Sequence, residues 1–199
     1  MNTDKKISYK KIIEYQDKLI RDFHSKKILF NEENALFKNI YNNMLSNYKL
    51  WHLEDEARRL DVGDAVIADI KRKIDRENQS RNDYIEKIDE TLLTMLPSSV
   101  TPDLPINSET PGAVIDRLSI GGLKIYHMAE ETDRKNAAPE HIKKCSEKLQ
   151  RLKLQRQDLG AALGVLLEEL FNGKKQLRVY RQFKMYNDPK LNPALYGKN

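Results

Sequence analysis

Apolar residues recur at intervals of three and four along five segments of the chain, which places them on one face of an α-helix. A helix with such a face buries it against other helices. The pattern therefore predicts an all-α, single-domain bundle of about five long antiparallel helices, a short basic C-terminal helix and an irregular tail. We expect the long helices at about residues 8–25, 32–60, 64–96, 111–132 and 139–172.

Residues that favour helix ends mark several of these boundaries. Asn31 suits the N-cap of the second helix. Gly63 followed by Asp64 suits the end of the second helix and the start of the third. Thr110 followed by Pro111 predicts the start of the fourth helix. Residues 97–108 contain three prolines and form the predicted long loop between the third and fourth helices.

Polar residues interrupt two of the apolar stripes. Arg156 is the only charged residue in the leucine-rich stripe of the fifth helix, and Asn78 and Arg81 interrupt the isoleucine-rich stripe of the third. Buried polar groups need hydrogen-bond partners and buried charges need counter-charges. These interruptions therefore predict either an internal polar network or a functional site, and the residues alone do not decide between the two.

A hairpin of the fourth and fifth helices, turning at residues 134–138, sets Asp116 level with Arg156. We therefore expect these two residues to form an ion pair, which would either fix the register of the helices or serve a function. Gly121 and Gly122 remove two side chains from the fourth helix. Close helix packing is favoured over ligand binding as their explanation.

Polar and aromatic residues of three helices are predicted to lie at one level of the bundle. This follows if the second and third helices pair as a hairpin and the fourth docks antiparallel to the third. Imidazole, carboxylate, amide and guanidinium groups beside aromatic walls are typical of a site for a polar or phosphorylated small molecule. Each histidine of this layer could instead be a surface residue or a satisfied core residue. The layer comprises Tyr48, Trp51, His52, Asp75, Asn78, Arg81, Tyr126 and His127.

The positive charge of the chain is concentrated near its C-terminus. The formal charge of the 199 residues is +5, and seven Lys and Arg residues but one Asp follow Gly173. We divide the chain into a bundle, residues 1–173, and a basic, aromatic segment, residues 174–199, that packs on the bundle. Cations alternate with aromatic residues in this segment, as in nucleic-acid-binding segments, but packing of its Leu177, Tyr180 and Phe183 on the bundle is favoured.

Cysteine content and hydropathy indicate the compartment. The single cysteine, Cys145, falls in a leucine stripe and is predicted to be a buried thiol rather than a nucleophile. No apolar run is long enough for a signal peptide or a membrane-spanning helix. We therefore expect a cytoplasmic protein without a membrane span.

Carboxylates at helical spacing in the third helix, Glu86 and Asp89 among them, raise the question of a metal site. The Glu-x-x-His motif of di-iron bundles does not occur in the sequence. Because these acids flank the apolar stripe, a solvated helix face is the favoured interpretation. A Gly-rich phosphate loop, a Cys-x-x-Cys pair and a nucleophile elbow are also missing from the sequence. We expect no cofactor and no metal site.

Four runs of sequence resemble a bacterial family of about this length, one of the domains of unknown function. They lie at residues 52–58, 70–89, 109–120 and 124–128, and the last two read ETPGAVIDRLSI and KIYHM. The resemblance implies an intracellular, mostly helical protein. It also implies a setting among genes for lipopolysaccharide and other surface glycans, often beside glycosyltransferases. It supplies no catalytic residues, because none are known for the family.

Three functions stay open at this point, and the sequence does not decide whether the protein is an enzyme. The favoured one is an accessory or catalytic role in surface-glycan assembly, with an anionic sugar nucleotide or phosphosugar as ligand. The second is a non-enzymatic helical adaptor that forms homo-oligomers or docks a glycosyltransferase. The third, nucleic-acid binding through the C-terminal segment, is disfavoured. For the first function we predict His127 and Asp116 as acid or base, and as ligand-binding residues His52, Asp55, Arg58, Asp75, Asn78, Arg81, Arg117 and Arg156.

Overall fold

A computed structural model describes residues 7–27, 32–97, 103–185 and 188–197 of the protein. Within these residues the chain forms helices and no strand, which confirms the predicted all-α fold. One isolated parallel bridge joins Ile106 to Gln176. None of the described helices is long and apolar enough to cross a membrane. The helices are α1 (Tyr9–His24), α2 (Ala35–Glu56), α3 (Asp64–Met95), α4 (Pro111–Thr132), α5 (Pro139–Phe171) and α6 (Pro193–Tyr196).

Helix α4 lies at the centre of the bundle. It is apolar on nearly every side, as expected for a central helix, and it contacts α1, α2, α3 and α5. The pairs α2–α3 and α4–α5 form two long hairpins, and α1 packs against α2, α4 and α5. All five long helices contribute to the largest core cluster, which includes Ile12, Ile40, Ile88, Leu118 and Leu163.

The predicted start of α4 is confirmed and that of α2 is not. Thr110 Oγ1 accepts a hydrogen bond from the amide of Ala113 at 3.2 Å, and Pro111 occupies the first helical turn. Helix α2 is capped by Asn34, whose side chain accepts from the amides of Leu36 and Phe37. The predicted cap, Asn31, lies outside the described residues.

The join between α2 and α3 also differs from the prediction. Helix α2 ends at Glu56, about one turn earlier than expected, and Leu60, the predicted last residue of the helix, is fully exposed. Gly63 has a φ of −77° and is the N-cap of α3 rather than the end of α2. At the other end of the bundle Gly173 has a φ of +65°, which explains why α5 stops where the sequence predicts.

The predicted solvated face of α3 is wrong at Asp89. This carboxyl group is 2 % exposed, and its Oδ1 accepts a hydrogen bond from the amide of Gly112 at 2.6 Å. It therefore satisfies one of the free amides in the first turn of α4. Burial raises the pKa of Asp89 to about 6, and hydrogen bonds from Thr110 and Gly112 oppose that rise. Glu86 is engaged by Arg181 at 2.9 Å.

The predicted helix after Gly173 is not present, and the described residues 174–184 form extended, irregular chain. The amide of Gln176 donates to the carbonyl of Pro105 at 3.1 Å, and the amide of Gln182 donates to Glu86 at 2.8 Å. Because these amides bind partners outside the segment, they form no helical ladder.

The apolar residues of this segment differ in burial. Leu177 is buried in the core as predicted, whereas Tyr180 is 56 % exposed and Phe183 is 84 % exposed. Tyr186, which belongs to the predicted pattern of cations and aromatics, lies outside the described residues.

Candidate functional site

The polar residues inside the bundle form two separate networks, both of which include α4. In the first, Asp116 Oδ1 accepts hydrogen bonds from Asn43 at 2.9 Å, from Asn47 at 2.8 Å and from Arg81 Nε at 2.8 Å. Its Oδ2 accepts from Arg81 Nη2 at 2.5 Å, so that the guanidinium binds the carboxylate with two donors. Asp116 is 2 % exposed, and this set of partners connects α2, α3 and α4.

The second network surrounds Arg156. Its Nη1 donates to Asp17 at 2.5 Å, and its Nε donates to the carbonyl of Leu118 at 3.0 Å. Its Nη2 lies 3.4 Å from Gln16 Oε1, and the Gln16 amide in turn donates to the carbonyl of Ile115 at 2.9 Å. The prediction that Arg156 needs a counter-charge is confirmed. The expected pair with Asp116 is wrong, because the counter-charge is Asp17 on α1.

The glycine pair of α4 explains where Arg156 lies. A Cβ on Gly122 would be 2.7 Å from Ile20 Cδ1 and 3.0 Å from Arg156 Nη2. A Cβ on Gly121 would be at ordinary contact distance, 3.5 Å, from Arg156 Cδ. The arginine is therefore level with the glycines rather than with Asp116. Close packing, the favoured explanation of this pair, is confirmed, and a buried guanidinium and helix α1 fill the space.

A cluster of three histidines occupies the end of the bundle where α1 and α2 terminate. The ring centroids are 5.5 Å apart for His24 and His52, 5.0 Å for His24 and His127, and 5.8 Å for His52 and His127. We call this set the histidine cluster. The sequence predicts that His52 and His127 approach each other, and the structure brings them together. It does not predict His24, although His24 shares a helix face with Ile20, which faces the bundle.

Aromatic side chains surround the histidine cluster. Trp51 stacks on His127 with centroids 4.5 Å apart and planes 9° from parallel, and Tyr126 stacks on His24 at 4.0 Å. Tyr48 meets the ring of His52 edge-on at 4.6 Å. These three aromatic residues belong to the predicted layer, and they hold the imidazoles in defined planes.

The nitrogen atoms of the cluster differ in their partners. His24 Nδ1 lies 2.7 Å from the carbonyl of Ile20, and His127 Nδ1 lies 2.8 Å from the carboxylate of Glu130. The Nε2 atoms of His24, His52 and His127 are buried and have no hydrogen-bond partner among the described residues. Burial and the two neighbouring imidazoles lower the pKa of His52.

Four of the predicted ligand-binding residues line one cavity of about 340 Å³ beside Trp51. They are Asp55, Arg58, Asn78 and Arg81. The two arginines of this cavity are already engaged, Arg58 by Glu54 at 3.0 Å and Arg81 by Asp116. The charges that line this cavity balance, two arginines against Glu54 and Asp55, and apolar side chains form much of the remaining wall.

The remaining predicted residues lie elsewhere. Asp75 is exposed on α3. Arg117 is exposed, pairs with Glu109 at 2.5 Å and lines a cavity of about 730 Å³ together with Arg156. Asp116 and Arg156 are buried members of the two networks. The structure thus places Arg117 and Asp75 apart from the histidine cluster.

A second cavity, which we call the basic cavity, lies on the other side of Trp51 and measures about 490 Å³. Trp51, His127 and Met128 form part of its wall. Its charged lining residues are Lys124, Lys148, Arg151 and Glu131.

The cations of the basic cavity and its carboxylate differ in their ion pairing. Among the described residues no carboxylate pairs with Lys124, Lys148 or Arg151, whereas Glu131 is engaged by Arg134 at 3.2 Å and His141 at 3.0 Å. The sequence does not predict these three cations, because on a basic chain they resemble ordinary solvated residues. Only the position of Trp51 against α4 and α5 distinguishes them.

A larger cavity of about 770 Å³ lies between α1, α4 and α5. It is lined by Lys10, Arg21 and Lys153 in addition to Arg156, and Tyr126 forms part of its wall.

The predicted buried thiol is confirmed, since Cys145 is 5 % exposed. Its Sγ lies 3.4 Å from His141 Nε2. Cys145 and His141 do not belong to the histidine cluster.

Comparison with known proteins identifies a family. The sequence model of a family described as "Protein of unknown function (DUF4254)" matches residues 38–179, which is more than two thirds of the chain. The four runs that resemble a domain of unknown function all lie within the matched residues, whereas His24 lies before them. No curated protein and no solved structure matches the chain.

Proposed function

The chain belongs to the DUF4254 family of proteins of unknown function, and we propose that it binds an anionic sugar nucleotide or phosphosugar in the basic cavity. The observation that carries the proposal is the group of three unpaired cations, Lys124, Lys148 and Arg151, beside the ring of Trp51. The family resemblance, which implies a setting in surface-glycan assembly, suggests the ligand class. The proposal concerns binding and assigns no chemical step.

The cations account for the phosphate part of the ligand. A phosphate carries strong acceptor oxygens, and the guanidinium of Arg151 can bind two of them with parallel donors. Lys124 and Lys148 supply compact point charges. Because no carboxylate among the described residues neutralises these three groups, an anion entering the cavity displaces no existing ion pair.

Trp51 and the neighbouring cavity account for the sugar part. Trp51 lines both the basic cavity and the cavity of about 340 Å³. The cavity of about 340 Å³ offers the carboxylate of Asp55 and the amide of Asn78, which can hydrogen-bond to hydroxyl groups. The cations would thus meet the phosphate, the ring of Trp51 the apolar face of the sugar, and the polar groups its hydroxyls.

Asp116 is not assigned proton transfer in this proposal. Its carboxylate is buried and accepts hydrogen bonds from Asn43, Asn47 and Arg81. A general base has to reach the proton that it removes, and a carboxylate enclosed in this way cannot. We therefore assign Asp116 the role of positioning the helices.

The proposal is tested by isothermal titration of the full chain with a panel of nucleoside diphosphate sugars, sugar 1-phosphates and inorganic phosphate. We expect at least one phosphosugar to bind, and Arg151→Ala and Lys148→Ala each to weaken it about 10-fold, which corresponds to one charged hydrogen bond. Lys153→Ala is the matched control, since Lys153 is on the same helix but lines the cavity of about 770 Å³. Loss of affinity in Lys153→Ala alone, or no binding by any compound, would reject the basic cavity.

A second candidate function is that of a helical adaptor. The observation in its favour is that the chain itself satisfies the two charged interruptions of the apolar stripes, Arg81 and Arg156, so neither requires a ligand. This function predicts a stable oligomer by light scattering and no heat of binding with any compound of the panel. Nucleic-acid binding through residues 174–199 is weaker as a candidate, because Arg181 is held by Glu86 and Glu90, and Lys175 by Glu169.

A further inference from the structure

Three buried imidazole nitrogens of one cluster have no hydrogen-bond partner in the part of the chain that the structure describes. They are the Nε2 atoms of His24, His52 and His127, which belong to three different helices. Each of the three rings has a nitrogen that lies within 4.8 Å of a nitrogen of each of the other two. A buried polar atom without a partner costs roughly 1–3 kcal/mol, so such atoms are rare in native proteins. Three of them in one place indicate that a partner from outside the chain completes the cluster.

The Nδ1 contacts determine which form of the rings is present. The carbonyl of Ile20 only accepts hydrogen bonds, so Nδ1 of His24 carries the proton. Nδ1 of His127 donates likewise to the carboxylate of Glu130. In a neutral imidazole the other nitrogen then has a free lone pair. For His24 and His127 that lone pair is on Nε2, the atom that lacks a partner.

This arrangement has the features of a metal-binding histidine. A histidine that binds a metal through one nitrogen donates its other ring N–H to a carbonyl or a carboxylate, which fixes the orientation of the ring. His24 and His127 have one such acceptor each. Stacking of Tyr126 on His24 and of Trp51 on His127 restricts the rings further.

We propose that His24, His52 and His127 bind one divalent transition-metal ion, with Zn²⁺ as the best fit, through their three Nε2 atoms. Imidazole ligands suit Zn²⁺ and other late transition metals, whereas Mg²⁺ and Ca²⁺ require oxygen ligands. Zn–N bonds of about 2.0–2.1 Å in tetrahedral geometry set the nitrogens about 3.3 Å apart. The rings therefore close by about 1.5 Å at most.

Three protein ligands leave a fourth position for water or a ligand atom, as in zinc sites that react with substrates. His127 also lines the basic cavity, so the ion would be next to that cavity. The metal site does not depend on the proposed function, because its three nitrogens converge whether or not the basic cavity binds a phosphosugar.

Metal content and affinity of the purified full chain test the proposal. The protein is treated with a chelator, dialysed against Zn²⁺ and analysed for bound metal, and its affinity is measured by competition with a chromophoric chelator. The variants are His24→Gln, His52→Gln and His127→Gln. His141→Gln is the matched control, because His141 is the fourth histidine of the chain and lies outside the cluster.

We expect one Zn²⁺ per wild-type chain. Each variant of the cluster should lose more affinity than the roughly 10- to 100-fold that loss of an outer hydrogen-bond partner costs, and His141→Gln should bind like wild type. Co²⁺ in place of Zn²⁺ should give the visible absorption of a four-coordinate site with nitrogen ligands. No stoichiometric Zn²⁺ in the folded wild-type protein, or an equal loss in His141→Gln, would overturn the proposal.

A measurement on the wild-type protein covers the case in which the variants fail to fold. In ¹⁵N spectra of the histidine side chains, Zn²⁺ should shift the Nε2 resonances of three of the four histidines and leave His141 unchanged. A shift of the His141 resonance alone would place the metal at His141 and Cys145 and would reject the cluster as the site.

Discussion

At the scale of single residues, Asp89 links the stability of the protein to pH. Its pKa is raised by burial from 3.8 to about 6. Because the pKa is higher in the folded chain than in the unfolded chain, folding takes up a proton between these two values. The free energy of unfolding contributed by Asp89 therefore falls as pH rises from about 4 to about 6, by about 3 kcal/mol in total.

Asp89→Asn removes this titration. We compare the free energy of unfolding of the variant with that of wild type by urea unfolding at pH 4 and at pH 7.5. The value for the variant minus that for wild type should be about 3 kcal/mol higher at pH 7.5 than at pH 4. The other carboxylates contribute equally to the pH dependence of both proteins, so their contributions cancel in the difference. A difference between variant and wild type that is the same at both pH values would show that burial does not perturb the Asp89 carboxyl group.

The two adjacent glycines of α4 should respond differently to the same substitution. Gly122→Ala brings a Cβ within 2.7 Å of Ile20 Cδ1 and 3.0 Å of Arg156 Nη2, so either the side chains or the helices must shift. We expect a loss of about 1–3 kcal/mol in the free energy of unfolding, as for other overpacked cores. Gly121→Ala makes ordinary contacts and should be neutral or stabilise the helix by up to about 1 kcal/mol.

Chemical denaturation of Gly121→Ala and Gly122→Ala checks this prediction. Arg156→Ala in combination with Gly122→Ala adds a control, because removal of the guanidinium should recover part of the loss. Equal effects of the two single substitutions would show that Arg156 does not fill the space beside Gly122.

The sequence predicts that Arg156 has a partner, but it does not identify that partner. A charged residue in an apolar stripe needs a counter-charge wherever it is, so its need can be predicted from local sequence. The identity of the partner depends on how far α5 is shifted along α4. The structure sets Arg156 level with Gly122, and α1 then supplies Asp17.

At the scale of helices, the close approach of α3 and α4 depends on Gly112. A Cβ at this position would lie 2.5 Å from the backbone carbonyl of Ile85 and 2.8 Å from Asp89 Oδ1. A backbone atom cannot rotate away as a side chain can. We therefore expect Gly112→Ala to destabilise the protein by at least about 2 kcal/mol and to disturb the capping of α4 by Asp89.

Urea unfolding gives the stability of Gly112→Ala, and hydrogen exchange reports on the first turn of α4. The amide of Gly112 donates to Asp89 in the wild-type protein, so the amides around it should exchange faster in the variant. Gly121→Ala, which changes the same helix without a close contact, is the control. Wild-type stability and exchange in Gly112→Ala would contradict the close approach.

Helix ends were predictable where a residue acts locally, and not where tertiary contacts decide. Thr110 and Pro111 start α4 through their own hydrogen bond and ring, and Gly173 ends α5 through its positive φ. Residues 174–184 have the composition of an amphipathic helix. Pairing of Gln176 with Pro105 and of Arg181 with Glu86 draws them into extended chain instead.

At the scale of the whole molecule, the candidate site consists of layers that cross several helices. The approach of Trp51 and His52 to His127 could be predicted from the hairpin of α2 and α3 together with antiparallel docking of α4 on α3. His24 could not be predicted to join them, since α1 is connected to α2 through residues 25–34 and its register is set by packing alone. Lys148 and Arg151 escape prediction for a different reason, because on a basic chain they resemble ordinary solvated residues until the packing of α5 against α4 brings them to Trp51.

The two proposed sites share His127 but are otherwise separate, and this arrangement leads to a prediction about their coupling. His24 does not line the basic cavity as the structure describes it, and Arg151 is not part of the histidine cluster. Without Zn²⁺, His24→Gln should bind a phosphosugar with wild-type affinity, whereas Arg151→Ala should bind Zn²⁺ with wild-type affinity. Titration calorimetry with each ligand alone measures both affinities.

With both ligands present, any coupling has to be reciprocal. If Zn²⁺ raises the affinity for the phosphosugar by some factor, the phosphosugar raises the affinity for Zn²⁺ by the same factor. A phosphate oxygen in the fourth position of the ion would give such a factor in the wild-type protein and none in His24→Gln. Loss of phosphosugar binding in metal-free His24→Gln would instead show that the cluster and the basic cavity are one site, because His24 would then be needed for phosphosugar binding even without Zn²⁺.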